Sequence, residues 1–204
     1  MTTAAIRRPV RTASGEQRRT EILEAAARLF NRLGYHRTTT AAIAAEAGTA
    51  KGTVYHHFQA KHEILSEIHS AWIEELIERF QQLRAGTDDV IEIIRGVFLD
   101  VLALIDGRPD HVRVFFEFFR ELPPELQATA RARRDLYEAL VEQTIRRGVE
   151  TGVFRPMDPR TQAFALFGMC NWSYQWYRHD GRYDHREIAE MLCGIFVDGM
   201  RARP

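Results

Sequence analysis

Apolar residues recur along this chain mostly at intervals of three and four, which is the spacing of helices that bury one face. No segment shows the strict apolar–polar alternation of a half-buried strand. The first apolar stripe occupies residues 22–33 and stops at Gly34, a residue type that commonly ends helices. The pattern therefore predicts an all-α fold with about nine helices.

Six of these helices are predicted beyond residue 60, where glycine and proline mark their ends. Gly107 ends one helix, Pro123 and Pro124 break the chain before another, and Gly152 ends a third. The segment 111–121 is apolar all round, so we expect it to be buried rather than to lie on the surface. The predicted helices span residues 61–84, 88–106, 111–121, 125–150, 159–178 and 185–200.

Two short helices around a glycine are predicted between the first long helix and residue 61. Gly48 supplies the turn between them, and the later helix covers residues 51–58. That helix mixes Lys, Thr, Tyr and His, which is unusual for a short helix that only packs. Such a pair is typical of the helix-turn-helix, whose second helix enters a DNA major groove. The buried face of the earlier helix is predicted to comprise Ala41, Ile43, Ala44 and Ala47.

The chain carries no net charge, but its charges are unevenly distributed. Residues 1–62 hold ten Lys and Arg against four Glu, whereas residues 63–204 hold 18 Lys and Arg against 24 Asp and Glu. A basic amino-terminal part on an acidic remainder is typical of a DNA-reading domain attached to a body that repels phosphate. The two lysines of the chain, Lys51 and Lys61, flank the later short helix.

Signals for export or membrane insertion are missing from the sequence. No apolar run approaches the roughly 18 residues of a membrane span, and the first 15 residues lack the apolar core of a secretory signal. We therefore predict a cytoplasmic protein without a membrane partner. Cys170 and Cys193 lack CxxC spacing, so they are interpreted as reduced, small hydrophobic residues.

Residues 1–15 lack helical periodicity and are predicted to form a flexible arm. The arm contains Arg7, Arg8 and Arg11. These arginines either reach a minor groove or phosphates, or carry incidental charge on a disordered tail.

Motifs for catalysis and for metal binding are likewise missing. The chain has no GxSxG, HExxH or glycine-rich phosphate loop, so we predict that it is not an enzyme and uses no cofactor. His56, His57 and His62 diverge around a helix and have no cysteine or carboxylate at ligand spacing, so no metal site is predicted. Glu117 and Glu121 lie one turn apart, where salt bridges to nearby arginines are favoured over general acid–base chemistry.

The sequence from residue 16 to about residue 65 resembles the TetR family of bacterial transcriptional regulators. It reads IL.AA..LF...GY..TT...IA..AG...GT.Y.HF..K..IL and matches at almost every signature position. The resemblance implies a three-helix DNA-binding domain over residues 16–62, with its helix-turn-helix at about 39–58. It also implies an effector-binding and dimerisation domain over residues 63–204.

By this resemblance, eight residues in and around the helix-turn-helix are expected to contact DNA. Two threonines at the start of the earlier short helix are expected to bind phosphate, and a plain helix cap is the alternative. Ala41 departs from family members that carry an arginine there, so base reading is expected to rest on the later helix. The expected DNA-binding residues are Thr39, Thr40, Lys51, Thr53, Tyr55, His56, His57 and Lys61.

The segment NWSYQWYRHDGRYDHREIA resembles a TetR subgroup that controls fatty-acid and sterol breakdown and senses acyl-coenzyme A thioesters. The resemblance implies a hydrophobic effector, and a different hydrophobic molecule, such as an antimicrobial, is the competing interpretation. A few amide groups among aromatic side chains suit such a ligand, although most of the aromatic residues are expected to be core. The expected ligand-binding residues are Phe98, Leu102, Phe115, Phe119, Tyr137, Phe167, Asn171, Trp172 and Gln175.

The last two predicted helices carry apolar stripes that exceed what one side of a monomer can bury. Packing two such pairs into a four-helix bundle across a two-fold axis would cover them, whereas a monomer would have to use its own helices. The expected interface residues are Ala165, Gly168, Trp172, Ile188, Leu192, Ile195 and Phe196.

These expectations combine into a dimeric repressor of a near-palindromic, double-stranded operator that is released by a hydrophobic effector. Its two recognition helices should lie about 34–36 Å apart, the spacing of successive major grooves. Two other functional classes are also compatible with the sequence. One is a small-molecule carrier or enzyme that uses the aromatic cavity, and the other is a nucleoid-type protein that binds DNA without an effector.

Overall fold

Nine α-helices make up most of residues 13–202, the part of the chain that the computed structural model describes. The predicted all-α fold is confirmed, since the β pairing within this range is one isolated bridge between Phe154 and Arg201. None of these helices is long and apolar enough to cross a bilayer. The helices are α1 (Ala13–Leu33), α2 (Thr40–Glu46), α3 (Lys51–His57), α4 (Lys61–Gly86), α5 (Val90–Gly107), α6 (Pro109–Glu117), α7 (Pro124–Glu150), α8 (Pro159–Trp176) and α9 (His185–Met200).

Helix α1 begins three residues earlier than the predicted domain, at Ala13, so residues 13–15 of the expected arm are helical. The remainder of that arm, with Arg7, Arg8 and Arg11, lies outside the described residues. The predicted helix over residues 111–121 is divided. Helix α6 ends at Glu117, and a single 3-10 turn follows at Phe119–Glu121. Pro123 and Pro124 disfavour a helical backbone at Leu122, which is extended, so no helix continues beyond this turn.

Side-chain caps define where four of the helices begin. In each case an oxygen of the residue before the helix accepts a hydrogen bond from a backbone N–H of the first turn. At the start of α9 the cap is reciprocal, because the Glu187 carboxylate also accepts from the backbone N–H of Asp184. The capping residues are Thr39, Asp89, Asp158 and Asp184.

The chain divides after Ile64 into two compact units, and the division lies inside the continuous helix α4. In the amino-terminal unit, α2 packs against both α1 and α3. Gly48 makes the turn between α2 and α3 with a φ of +61°, a conformation that favours glycine. The fully or almost fully buried side chains of this unit include Ile22, Phe30, Ile43, Val54 and Phe58.

Helix α5 is the central element of the carboxy-terminal unit. It packs against α6, α7, α8 and α9, most extensively against α9. Its buried residues belong to one hydrophobic core that also takes side chains from α4 and α7. This arrangement surrounds α5 with apolar side chains, which explains why its sequence is hydrophobic on most sides.

Candidate functional sites

The start of α2 and the middle of α3 are joined by a hydrogen bond between two side-chain hydroxyls. Thr40 Oγ1 and Tyr55 Oη lie 3.0 Å apart. Thr39 is exposed, and its Oγ1 accepts a hydrogen bond from the backbone N–H of Ala42 at 3.1 Å. The cap predicted as the alternative role of this threonine pair is therefore present at Thr39, while its phosphate contact stays a prediction.

Helix α3 presents a polar face on the side opposite its core residues. Val54 and Phe58 are buried, as expected, whereas Lys51 and His56 are exposed and Tyr55 is 44% exposed. Lys51 Nζ lies 5.6 Å from the Tyr55 ring centroid, and no carboxylate of residues 13–202 forms an ion pair with it. The remaining predicted contacts of α3, Thr53 and His57, are half-buried. The structure thus presents the exposed Thr39, Lys51, Tyr55 and His56 together with the half-buried Thr40, and we call these five residues the α2–α3 face.

Arg19 of α1 fixes the carboxyl end of α3, a role that the sequence did not reveal. Its Nη1 donates to the backbone oxygen of His57 at 3.1 Å, and its guanidinium lies 4.2 Å from the Phe58 ring centroid. An arginine near a helix carboxyl end satisfies an orphan carbonyl and opposes the negative end of the helix dipole. No local pattern could have indicated the contact, because the two residues are 38 positions apart.

Lys61 makes contacts within the amino-terminal unit that the sequence did not predict. Its Nζ donates to the backbone oxygens of Tyr35 at 2.7 Å, Thr38 at 2.9 Å and His36 at 3.4 Å. The ammonium also lies 4.2 Å from the Tyr35 ring centroid. Its three N–H donors are therefore used inside the protein. The expected phosphate contact of Lys61 stays untested, but the residue has a structural role as well.

We therefore expect Lys61→Met to destabilise the amino-terminal unit by about 2–3 kcal/mol, because three carbonyls lose a charged donor. Hydrogen exchange should show faster loss of protection in α1–α3, with the amides of the carboxy-terminal unit as the internal reference. Lys51→Met is the matched control, since the Lys51 ammonium donates no hydrogen bond to a backbone carbonyl of the described chain. Equal protection in the two variants would contradict the structural role of Lys61.

A cavity of about 100 Å³ lies in the carboxy-terminal unit, lined by α4, α5, α6, α7 and α8. Its wall is mostly aromatic and aliphatic, with three polar side chains, Arg134, Glu138 and Asn171. Burial raises the pKa of Glu138. Four of the nine expected ligand-binding residues line this cavity, namely Phe115, Tyr137, Phe167 and Asn171.

The other five expected ligand-binding residues do not line this cavity. Phe98 and Leu102 are fully buried in the core, where the Phe98 ring centroid lies 5.7 Å from that of Phe196. Trp172 and Gln175 are exposed on the outer side of α8. Adjacent positions on a helix point about 100° apart, so Asn171 and Trp172 cannot both face the cavity. Phe119 is half-buried outside the cavity wall.

His69 of α4 is a deeply buried histidine next to the cavity wall, only 2% exposed. Its ring centroid lies 5.1 Å from that of the wall residue Phe115 and 5.9 Å from that of Phe119. Within the described chain no hydrogen-bond partner reaches its Nε2 atom, an arrangement that typically costs about 1–3 kcal/mol. Burial, and secondarily the positive charge of Arg134, lowers the pKa of His69 to about 4. The imidazole is therefore neutral at pH 7.

The buried imidazole predicts a pH dependence of stability. Because the pKa of His69 is about 4 in the folded chain and 6.5 ordinarily, the unfolded chain binds the extra proton as the pH falls below 6.5. Stability is complete above that pH and declines towards pH 4. Between pH 7 and pH 5 the loss should be about 2 kcal/mol. Urea denaturation should show this loss in the wild type and not in His69→Leu, and parallel losses in both proteins would exclude His69 as the source.

The outer sides of α8 and α9 expose large apolar side chains. Trp172 is 64% and Ile195 68% exposed, and Leu192 is half-buried. The small residues Ala165 and Gly168 lie on the same exposed side of α8 as Trp172. We call this surface the α8–α9 face, and its exposed large residues are Phe164, Trp172, Trp176, Met191 and Ile195.

The structure contradicts the expected interface role of two residues. Ile188 and Phe196 are buried in the core of their own chain, beneath the α8–α9 face. Ile195 and Phe196 point about 100° apart, and it is Phe196 that turns towards α5, where its ring packs against Phe98. The face therefore includes Phe164, Trp176 and Met191 in place of these two residues.

Asp106, near the end of α5, contacts side chains of the segment between α8 and α9. The sequence of this segment resembles the acyl-coenzyme A-sensing subgroup. Its carboxylate accepts hydrogen bonds from Tyr177 Oη at 2.7 Å and His179 Nδ1 at 2.7 Å, and its Oδ2 lies 3.1 Å from His185 Nδ1. These partners lower the pKa of the Asp106 carboxyl against the opposing effect of burial. The segment between α8 and α9 is thus tied to the central helix.

Comparison with protein families matches both halves of the chain. Residues 22–68 match the family described as "Bacterial regulatory proteins, tetR family". Residues 87–200 match the family described as "Tetracyclin repressor-like, C-terminal domain". Each match encloses elements described above, the helix-turn-helix in the first and α5–α9 in the second.

Individual relatives agree with these family matches over almost their whole length. The HTH-type transcriptional repressor KstR2 of Rhodococcus jostii (strain RHA1) is 27% identical over 199 residues, which cover 94% of this chain and 96% of KstR2. The TetR family transcriptional regulator PfmR from Thermus thermophilus is 30% identical with a TM-score of 0.81, covering 89% of this chain and 99% of PfmR. AibR, solved in complex with isovaleryl coenzyme A and operator DNA, is 30% identical with a TM-score of 0.76, covering 87% and 97%.

Proposed function

Because this chain belongs to the TetR family of bacterial transcriptional regulators, we propose that it represses transcription as a homodimer that a hydrophobic effector releases from DNA. The observation that carries this proposal is the α2–α3 face, where four of the eight expected DNA-binding residues are exposed beside the half-buried Thr40. The operator is double-stranded and near-palindromic, as a two-fold symmetric reader requires. The protein acts in the cytoplasm, where such an operator lies.

On DNA, the α2–α3 face enters a major groove with α3 as the recognition helix. Lys51 and His56 reach bases or phosphates, and Thr39 and Thr40 bind phosphate through their hydroxyl groups. Tyr55 carries its phenol to the phosphate backbone beside Thr40. The positive balance of residues 1–62 supplies the sequence-independent part of the affinity. The half-buried Thr53 and His57 contribute at the edges of the face.

The homodimer forms through the α8–α9 face. Several large apolar side chains exposed on two helices that pack together are unusual for a monomer and typical of an interface. Two such faces pack into a four-helix bundle across a two-fold axis, and Ala165 and Gly168 allow the helices to approach closely. The interface also joins two recognition helices in one dimer.

The effector binds in the cavity of the carboxy-terminal unit. Its aromatic walls and its few polar groups suit a mainly apolar molecule. AibR, which is similar over most of both chains, binds isovaleryl coenzyme A, and this supports an acyl-coenzyme A thioester as the effector class. A different hydrophobic molecule, such as an antimicrobial, is the alternative, because the cavity walls suit any small apolar compound.

Release follows from a shift between two conformations of the dimer. Trp72, Ile73 and Leu76 of α4 line the cavity, and the same helix begins at Lys61 in the amino-terminal unit. A ligand that favours a displaced α4 changes the separation of the two recognition helices. The required coupling is modest, about 1–3 kcal/mol in typical allosteric proteins.

An electrophoretic mobility shift titration on the promoter region of its own gene tests this function. We expect specific binding at nanomolar concentrations, relieved by acyl-coenzyme A thioesters and not by coenzyme A alone. Specific binding that no thioester or other hydrophobic compound affects would reject the effector. Binding without sequence preference would favour a nucleoid-type protein, and absence of binding would favour a carrier or an enzyme.

A further inference from the structure

We propose that Arg134 on the cavity wall and His69 beside the wall residue Phe115 bind the carbonyl oxygen of a short-chain acyl thioester. This inference rests on the proposed function and adds to it the size of the acyl group and the residues that recognise it. Three observations support it, namely a buried atom without a partner, a cation without an ion pair, and the volume of the cavity.

The first observation is the Nε2 atom of His69. The side chain is almost completely buried between Phe115 and Phe119, yet no group of residues 13–202 satisfies this nitrogen. An apolar residue of similar size would fill the same space without an unsatisfied polar atom. The imidazole ring packs against the wall residue Phe115 without lining the cavity itself, so a bound ligand reaches the Nε2 atom only where the Phe115 ring moves aside.

The second observation is the guanidinium of Arg134, which lines the cavity and lies 4.5 Å from the Phe119 ring centroid. Over the described residues it makes no ion pair, whereas the neighbouring Arg133 pairs with Glu74. Its planar N–H groups suit an oxygen acceptor. The nearby carboxylate of Glu138 lines the same cavity and repels a second anion, so the uncharged carbonyl of a thioester is favoured over a free carboxylate.

The third observation is the volume of about 100 Å³. An engineered apolar cavity of about 150 Å³ accommodates benzene, so this one has room for roughly four or five carbon atoms. A butyryl or isovaleryl group fits these limits, whereas a long fatty chain or a sterol ring system would have to separate the helices. The coenzyme A part of the thioester is far larger than the cavity and lies outside it.

Calorimetric titration of the full chain with a series of acyl-coenzyme A thioesters tests the size limit. We expect butyryl- and isovaleryl-coenzyme A to bind at least about tenfold more tightly than palmitoyl-coenzyme A, coenzyme A alone or free isovalerate. Tightest binding of the palmitoyl thioester would overturn the size limit. Equal affinity for free isovalerate would overturn the role given to Glu138. Absence of binding by every acyl compound would overturn the whole inference.

Variants of the two polar residues test their role with a readout that a purely structural role would not give. His69→Leu should bind isovaleryl-coenzyme A about three- to tenfold more weakly while its melting temperature rises, because the unsatisfied nitrogen is gone. His69→Gln, which retains a hydrogen-bonding group near the Nε2 position, should recover most of the affinity. Arg134→Met should also weaken binding, and Arg133→Met is the matched control that should not.

The outcomes separate this inference from the proposed function. If thioesters release operator DNA while His69→Leu and Arg134→Met bind them as tightly as the wild type, the inference fails and the proposed function stands. If the wild type binds short thioesters through these residues but does not bind operator DNA, the proposed function fails instead.

Discussion

Ile195→Asp is expected to convert the homodimer into a monomer and to lower operator affinity by at least about a hundredfold. Ile195 is 68% exposed on α9, so the substitution leaves the fold of the single chain nearly unaffected. At a two-fold interface the same carboxylate enters from both protomers. Burying two unpaired charges in an apolar interface costs several kcal/mol, which exceeds what a small interface can offset.

Sedimentation velocity and fluorescence anisotropy on the same samples would check both effects. Leu136→Asp is the matched control, because Leu136 is also an exposed aliphatic residue, 52% exposed, but lies on α7 outside the α8–α9 face. The control should remain dimeric and bind operator normally. An Ile195→Asp protein that stays dimeric would show that the α8–α9 face is not the interface.

Tyr55→Ala is expected to lower operator affinity by about 30- to 100-fold without changing the stability of the amino-terminal unit by more than a fraction of a kcal/mol. The phenol is 44% exposed on α3 and holds Thr40 through one hydrogen bond. Each dimer loses two such contacts, and each is worth about 1 kcal/mol or slightly more. Tyr55→Phe keeps the ring and removes only the hydroxyl, so its effect should be intermediate.

A second variant on the α2–α3 face tests whether the charge of Lys51 contacts DNA phosphate. Lys51→Met should reduce the slope of log affinity against log salt by about 2 for the dimer, because each phosphate contact contributes about 0.9. Arg113→Met is a control, since Arg113 lies on α6 and pairs with Glu117 at 3.4 Å. An unchanged salt slope for Lys51→Met would mean that Lys51 does not contact phosphate.

The sequence predicted the helices well because their signals are local, although Ala41, expected on the buried face of α2, is exposed. Glycines, prolines and capping residues mark helix ends within one turn, and helix periodicity separates Val54 and Phe58 from Tyr55. The division of polar and buried positions over residues 51–58 therefore follows from local spacing.

Helices α8 and α9 show where periodicity stops being informative. They carry apolar residues on both an inner and an outer stripe, and spacing alone does not say which stripe packs on α5. Phe196 belongs to the inner stripe, and Ile195 and Met191 to the outer one, whereas Ile188 is buried in the first turn of α9 although it lies nearly in line with Ile195. The choice depends on the neighbouring helices, which lie far away in sequence.

Polar contacts between residues far apart in the chain could not be predicted from the sequence, because they too depend on which helices pack together. Lys61 reaches carbonyls 23 to 26 residues earlier in the chain, and Arg19 reaches α3 across 38 residues. His69 had a usable signal, because it stands between Leu65 and Trp72 on the buried stripe of α4. A histidine at such a position is a reason to look for an unsatisfied buried nitrogen.

Hydroxyl-radical footprinting of the full chain on its own promoter tests the central claim most directly, that two copies of the α2–α3 face read successive major grooves. We expect two protected patches on one side of the duplex, about 10–10.5 base pairs apart or at a small multiple of that spacing, related by approximate two-fold symmetry. The Tyr55→Ala protein should lose both patches together. A single patch, or a footprint that Tyr55→Ala leaves intact, would contradict the claim.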